Sequence, residues 1–216
     1  MTEQKRLAPS AVLREHPIIA VLRARDAAEY APVIDVLAAN GVRSMELTLS
    51  TPNTFEHLPA IVARGGADVE IGVGTITAAV EARRAIDAGA SYLVTPILNV
   101  AVIEVAVAAG VPVFPGGLTP TELFTAWQAG ATAVKIFPAE TVGPQYGSHL
   151  RGPFPELQFV PSGGIALEHI PLWLNAGAVA VSLGGPLVGD ALKGGSLTEL
   201  AARARAAVEV AREARA

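Results

Sequence analysis

Eight short β-rich runs punctuate the chain: "IIAVLR" (18–23), "RSMELTL" (43–49), "VEIGVG" (69–74), "YLVTP" (92–96), "VPVFPG" (111–116), "AVKIFP" (133–138), "QFVPSGG" (158–164) and "AVAVSLGG" (178–185). Between most of them lie segments with helical apolar spacing that end in a small residue and glycine, as in "AANG", "DAGA", "VAAG", "QAGA" and "NAGA". These endings put Gly41, Gly89, Gly110, Gly130 and Gly177 where a helix C-terminus takes a left-handed residue before the next strand. The unit recurs at roughly twenty-odd residues, and eight strands alternating with helices predict an α/β fold, a (β/α)8 TIM barrel, as one domain over residues 1–216. An open doubly wound sheet, with fewer strands and one Gly-rich nucleotide turn, fits less well. An extra N-terminal helix is expected around Pro9–Glu15 and a closing Arg/Ala-rich helix from about Leu197.

Composition narrows the function. A hydrophobic content of 51% with only 5% aromatics means a core of Ala, Val, Ile and Leu, as in parallel sheets covered by helices. A net charge of −4 without a clustered basic stripe argues against nucleic acid as a partner and leaves small metabolites. The chain has no cysteine, so it has neither disulfides, a thiolate nucleophile nor thiolate metal sites. "MTEQKRLAPS" lacks the apolar run of a signal peptide, and no stretch has the length of a membrane span; a cytoplasmic protein is expected.

One side chain conflicts with its surroundings. The chain has only three lysines among sixteen basic residues. Lys5 and Lys193 read as solvated, but Lys135 sits inside "AVKIFP". Burying an unpaired ammonium is costly, and lysine usually escapes by giving up its proton, which leaves a nucleophilic amine. Strand alternation sends Ala133, Lys135 and Phe137 to the inner face and Val134 and Ile136 to the outer helices. On the second strand the same rule sends Met45, Leu47 and Leu49 outward and Glu46 and Thr48 inward. A structural ion pair of Glu46 with Lys135 fits this placement; so does a nucleophilic lysine served by a proton-transferring carboxylate.

In a barrel, functional groups come from the C-terminal strand ends. Those ends carry Arg23, Gly74-Thr75, Thr95-Pro96, Ser162-Gly163-Gly164 and Gly184-Gly185. Glycine turns after the last two strands suit an anion site, and Arg23 could clamp a carboxylate or phosphate or form a surface ion pair with Asp26 or Glu29. His16, His57, His149 and His169 lack ligand spacing, and Trp127 and Trp173 fall on outer helices.

The motifs "VLR", "MELTLSTP", "GVGT", "LVTP", "VFPGGLTPTEL", "VKIFPAE", "VPSGGI" and "SLGGPLV" together resemble the class I 2-keto-3-deoxy-6-phosphogluconate (KDPG) and 4-hydroxy-2-oxoglutarate aldolases, including 2-keto-3-deoxy-6-phosphogalactonate relatives. The likeness runs from about residue 15 to 192. It implies a (β/α)8 barrel, a homotrimer, no metal or cofactor, and reversible cleavage of a 2-keto-4-hydroxy acid to pyruvate and an aldehyde. By this resemblance Lys135 is the Schiff-base lysine and Glu46 the general acid/base. Thr75 lies near the pyruvate carboxylate, Pro96 and Phe137 are apolar pocket walls, and Ser162, Gly163, Gly164, Gly184 and Gly185 cradle the phosphate. Two positions depart from the family pattern. Ser50 stands where many members have a carboxylate-binding arginine, which leaves that charge to Arg23. Pro186 replaces a serine and removes an N–H donor from the anion site, while "VGPQY" leans toward the galactonate-type members. A barrel isomerase or decarboxylase without an imine, or a non-catalytic keto-acid-binding barrel, are the alternatives.

Overall fold

The structure is a computed structural model describing residues 6–215, so Lys5 lies outside the described residues. In chain order the elements are α1 (Ala11–Glu15), β1 (Ile18–Leu22), α2 (Tyr30–Ala39), β2 (Ser44–Thr48), α3 (Thr54–Gly65), β3 (Glu70–Gly74), α4 (Ala79–Asp87), β4 (Leu93–Val94) and α5 (Val100–Ala108). They continue with β5 (Val113–Phe114), β6 (Gly116–Gly117), α6 (Pro120–Gln128), β7 (Val134–Ile136), α7 (Gln145–Arg151), β8 (Phe159–Pro161), α8 (Ile170–Asn175), β9 (Val181–Leu183), α9 (Gly185–Val188) and α10 (Leu197–Glu213).

Every β-rich run of the sequence carries a strand, and the fifth is split in two at Pro115, which has no N–H for the ladder. All pairings are parallel, in one sheet of order β5-β4-β3-β2-β1-β9 and another of order β6-β7-β8. The strands curl into a half-barrel with helices outside. Hydrogen bonds cross both seams between the sheets. Lys135 N–H reaches Pro115 O at 2.8 Å, and Val179 N–H reaches Phe159 O at 3.0 Å beside the Ser162–Ser182 bridge.

The five glycines that end helices do adopt left-handed backbone, with φ from 68° at Gly110 to 105° at Gly130, and return the chain to the next strand. Side-chain alternation then separates two cores. Met45, Leu47, Val134 and Ile136 join the outer helices in the larger one. Ile19, Tyr92, Val94, Phe114, Ala133, Val160 and Ala180 fill the interior together with Leu13. Leu13 comes from α1, whose first turn is capped by the Ser10 hydroxyl accepting from Leu13 N–H at 3.0 Å; the helix starts after Pro9 for that reason. The closing helix begins after Ser196, and buries Leu200, Ala204, Ala207 and Ala211 at helical spacing. Trp173 is buried edge-on to Phe159, and Trp127 lies under the Arg6 guanidinium.

Candidate active site

Lys135 occupies the middle of β7 between Gly116 on β6 and Val160 on β8. It is 7% exposed. Its Nζ lies 5.1 Å from the centroid of the ring of Phe137, the residue just past β7, a cation–π approach. Glu46 occupies the middle of β2 between Val21 and Gly72 and is 2% exposed. No ion pair joins the two among the described residues, where the recorded pairs all involve arginine on exposed faces. The structural ion pair considered from sequence is therefore not formed, and both groups face the interior without a charged partner among the described residues.

The position of Glu46 is set from the neighbouring strand. The inward positions of β3 are Gly72 and Gly74, and a Cβ on Gly74 would lie 1.9 Å from Glu46 Oε1, while one on Gly72 would lie 2.2 Å from the Tyr92 ring. The space these glycines leave is filled by the carboxylate above and the phenol below. Burial pushes the Tyr92 hydroxyl well above its ordinary pKa, and the nearby charges of Glu46 and Glu70 push the same way. That hydroxyl has no hydrogen-bond partner.

The other strand ends form a rim. Arg23 is exposed, and its Nε donates to Ser50 Oγ at 3.0 Å. Ser50 in turn donates to Thr48 Oγ1 (3.2 Å), and Thr48 to the carbonyl of Leu22 (3.1 Å). The guanidinium thus reaches across to the residue that stands in place of the family's usual arginine. The ion pairs considered for Arg23 are taken up elsewhere: Glu29 holds Arg25 at 3.0 Å, and Asp26 accepts from Ala28 N–H and Asn53 Nδ2. Thr75 ends β3 with φ of 63°, a strained geometry for a β-branched residue and one that concentrates at functional sites. Thr95, fully buried, receives the Gly116 N–H on Oγ1 at 3.1 Å, and the Pro96 carbonyl comes so near Gly116 that a Cβ there would meet it at 2.6 Å. Phe137, 37% exposed, lies over Gly163.

The two glycine turns differ. Gly163 and Gly164 have φ of 92° and 72° and are crowded. A Cβ on Gly163 would meet the Phe137 ring at 3.1 Å, and one on Gly164 would meet the Glu140 carboxylate at 2.0 Å. Gly184 and Gly185 have nothing within 4 Å of where a Cβ would be. They border a crevice of about 340 Å³ that is also lined by Val21, Arg23, Arg25 and Lys193. Pro186 fits the first turn of α9 behind them. Ser162 lies beneath, its hydroxyl 3.3 Å from that of Ser182.

A family model for KDPG and KHG aldolases matches residues 10–202. This chain belongs to that aldolase family. Among curated relatives, the 2-dehydro-3-deoxy-6-phosphogalactonate aldolase of Escherichia coli K12 is 35% identical over 92% of this chain and 96% of its own. The 2-dehydro-3-deoxy-phosphogluconate aldolase of Treponema pallidum is 36% identical over 73% of this chain and 74% of its own. Among solved structures, one described as native KDPGal superposes with a TM-score of 0.86 at 34% identity, covering 92% of this chain and 96% of that one. The protein is accordingly an enzyme, a carbon–carbon lyase of the class I pyruvate aldolase group.

Larger cavities, of about 430 Å³ beside α1 and α10 and about 540 Å³ between α7 and α8, are lined by neither Lys135 nor Glu46. The sequence did not single out Arg25, Tyr92 or Gly72; Lys193, read as solvated, is exposed and borders the crevice. The run "GVG", with two glycines at strand spacing on one face, was the available signal for the space beside Glu46.

Proposed function

We propose that the protein cleaves a 2-keto-3-deoxy-6-phospho sugar acid, of gluconate or galactonate type, to pyruvate and glyceraldehyde 3-phosphate through an imine on Lys135. The Lys135 amine adds to the C2 ketone, and loss of water gives an iminium that draws electrons from the C3–C4 bond. Glu46 takes the proton of the C4 hydroxyl as that bond breaks. The C4 fragment departs as the aldehyde and the C3 fragment remains as an enamine. Protonation at C3 and hydrolysis of the resulting imine release pyruvate and restore the amine. Arg23 and Thr75 hold the carboxylate, Pro96 and Phe137 wall the keto-acid stem, and the glycine turns with Ser162 face the distal end.

The observation that carries this reading is a pair of buried ionisable side chains, Lys135 and Glu46, inward on β7 and β2 and without an ion pair or hydrogen bond among the described residues. Nothing but a ligand would give both groups a use in that space. Incubation with pyruvate and borohydride is expected to add one reduced pyruvyl group to Lys135, read by peptide mass spectrometry. An unmodified Lys135 after full incubation sinks the mechanism. The hydrogen bonds at both seams favour a closed (β/α)8 barrel in one domain. A homotrimer is also part of the reading; one similar solved chain belongs to a cage designed by fusing symmetric oligomeric domains. With no helix of the described residues long and apolar enough to cross a membrane, and a metabolite as substrate, we assign the enzyme to the cytoplasm. The reading on 4-hydroxy-2-oxoglutarate, which releases glyoxylate, shares every step and differs only at the distal end.

A further inference from the structure

We infer that Lys193 and Arg25 are specificity-determining residues that hold the phosphate end of the substrate in the crevice between β1 and β9. The inference rests on the aldolase reading above and concerns which wall of that site takes the distal anion.

The crevice is lined by three cations, Arg23, Arg25 and Lys193, and by no carboxylate. It adjoins the chemistry, because Val21, one of its lining residues, is the register partner of Glu46. Arg23 is anchored by Ser50 and is given to the substrate carboxylate in the aldolase reading, and Arg25 shares its charge with Glu29 at 3.0 Å. Lys193 is exposed, and its ammonium has no ion pair or hydrogen bond among the described residues. It is the uncommitted charge of the three.

The glycines point the same way. Neither left-handed backbone nor a crowding neighbour requires glycine at Gly185, since a Cβ there would meet nothing within 4 Å. The missing side chain leaves the backbone at Gly185 bare on the side of the crevice, where a ligand can come close to it. The opposite turn is less hospitable: the Glu140 carboxylate packs on Gly164 and opposes a phosphate dianion on that side. Pro186 has already removed one backbone donor beside Gly185. Charge on side chains compensates for an N–H absent from the turn, and a crevice of about 340 Å³ admits a phosphate with its terminal carbon.

The test compares pyruvate release from 2-keto-3-deoxy-6-phosphogluconate and from its unphosphorylated acid. In Lys193→Gln the ratio of kcat/KM for the phosphorylated over the unphosphorylated acid is expected to fall about 10-fold, the size of one charge-assisted contact, with the loss in KM. Lys193→Arg is expected to recover most of it. The KM of the wild-type enzyme for the phosphorylated acid should rise with ionic strength more steeply than that of the variant. Arg83→Gln, which removes an exposed charge from the outer helix α4, is the control for net charge alone. An unchanged ratio in Lys193→Gln, or an equal fall in Arg83→Gln, overturns the inference. Borohydride trapping of pyruvate on Lys135, run on the same proteins, separates this failure from that of the aldolase reading, because only the latter abolishes the adduct.

Discussion

The two ends of the site are built on opposite terms. Around Lys135 and Glu46 the protein offers buried strand positions and no ion pair among the described residues; around Arg25 and Lys193 it offers an exposed rim with two cations on flexible stems. A reacting amine and its proton carrier must be held in place where water is scarce. A distal anion needs attraction and tolerance of length, which a charged, open crevice supplies. On the proposed reading, the difference teaches that reaction type and substrate choice reside on separate parts of the barrel, β7 and β2 for the first and the segments that follow β1 and β9 for the second.

That division can be broken most decisively at its centre. Lys135→Met keeps an unbranched stem in the interior and removes the nucleophile; pyruvate release is expected to fall on the order of 10⁵-fold or more, with no borohydride adduct in the intact mass. Retention of a hundredth of the rate would place the chemistry elsewhere. Next, Glu46→Gln is expected to slow cleavage by about 10²–10⁴-fold, the range of a general acid/base, while the adduct still forms over long incubation. Loss of the adduct itself would make Glu46 a partner in imine formation first. A third experiment moves the carboxylate without changing it: Gly74→Ala would put a Cβ 1.9 Å from Glu46 Oε1. We expect about a 10²-fold fall in kcat from misplacement and about 1–3 kcal/mol of destabilisation by urea. A full kcat would show that Glu46 has another place to go.

The smallest effect is a control outside both regions. Glu122 closes a capping box at the start of α6, accepting from the Thr119 hydroxyl at 2.7 Å and its N–H at 2.8 Å. The Thr119 hydroxyl first, and the backbone N–H groups of Thr119 and Leu118 after it, hold the carboxyl below its ordinary pKa. Glu122→Gln should therefore cost about 0.3–1 kcal/mol near neutral pH. The sign follows from the depressed pKa: the contribution is present above the ordinary glutamate range and is lost as pH falls through the lowered native value. Denaturant midpoints of the two proteins should converge there, with the kcat ratio near one throughout.

Much of this was legible in the chain before any coordinates. Period-2 alternation put Lys135, Ala133 and Glu46 inward because a charge among β-branched residues has one place to hide, and the glycine endings marked the helix stops by their need for positive φ. The rim was less readable. An exposed lysine on a loop looks the same in sequence whether or not it borders a crevice; Lys193 is exposed as its loop predicts, and only the fold shows the crevice beside it. Arg25 was hidden in the same way by its neighbour Glu29. Sequence separates the two glycine turns only by Pro186, whereas the fold adds left-handed backbone at Gly163 and Gly164 and the approach of Phe137 and Glu140 to them. Pro115, in a run that read as one strand, splits it because the ladder needs an N–H that proline lacks.

The short helix α1 sets a schedule for the whole chain. Leu13 is 1% exposed and shares the interior with residues as distant as Val160 and Ala180, so the side chain synthesised among the first has its seat made by strands synthesised near the last. The seat of Leu13 is thus complete only once the run with Ala180 has joined the other strands, and chains that stop short of residue 180 would lack part of its cover.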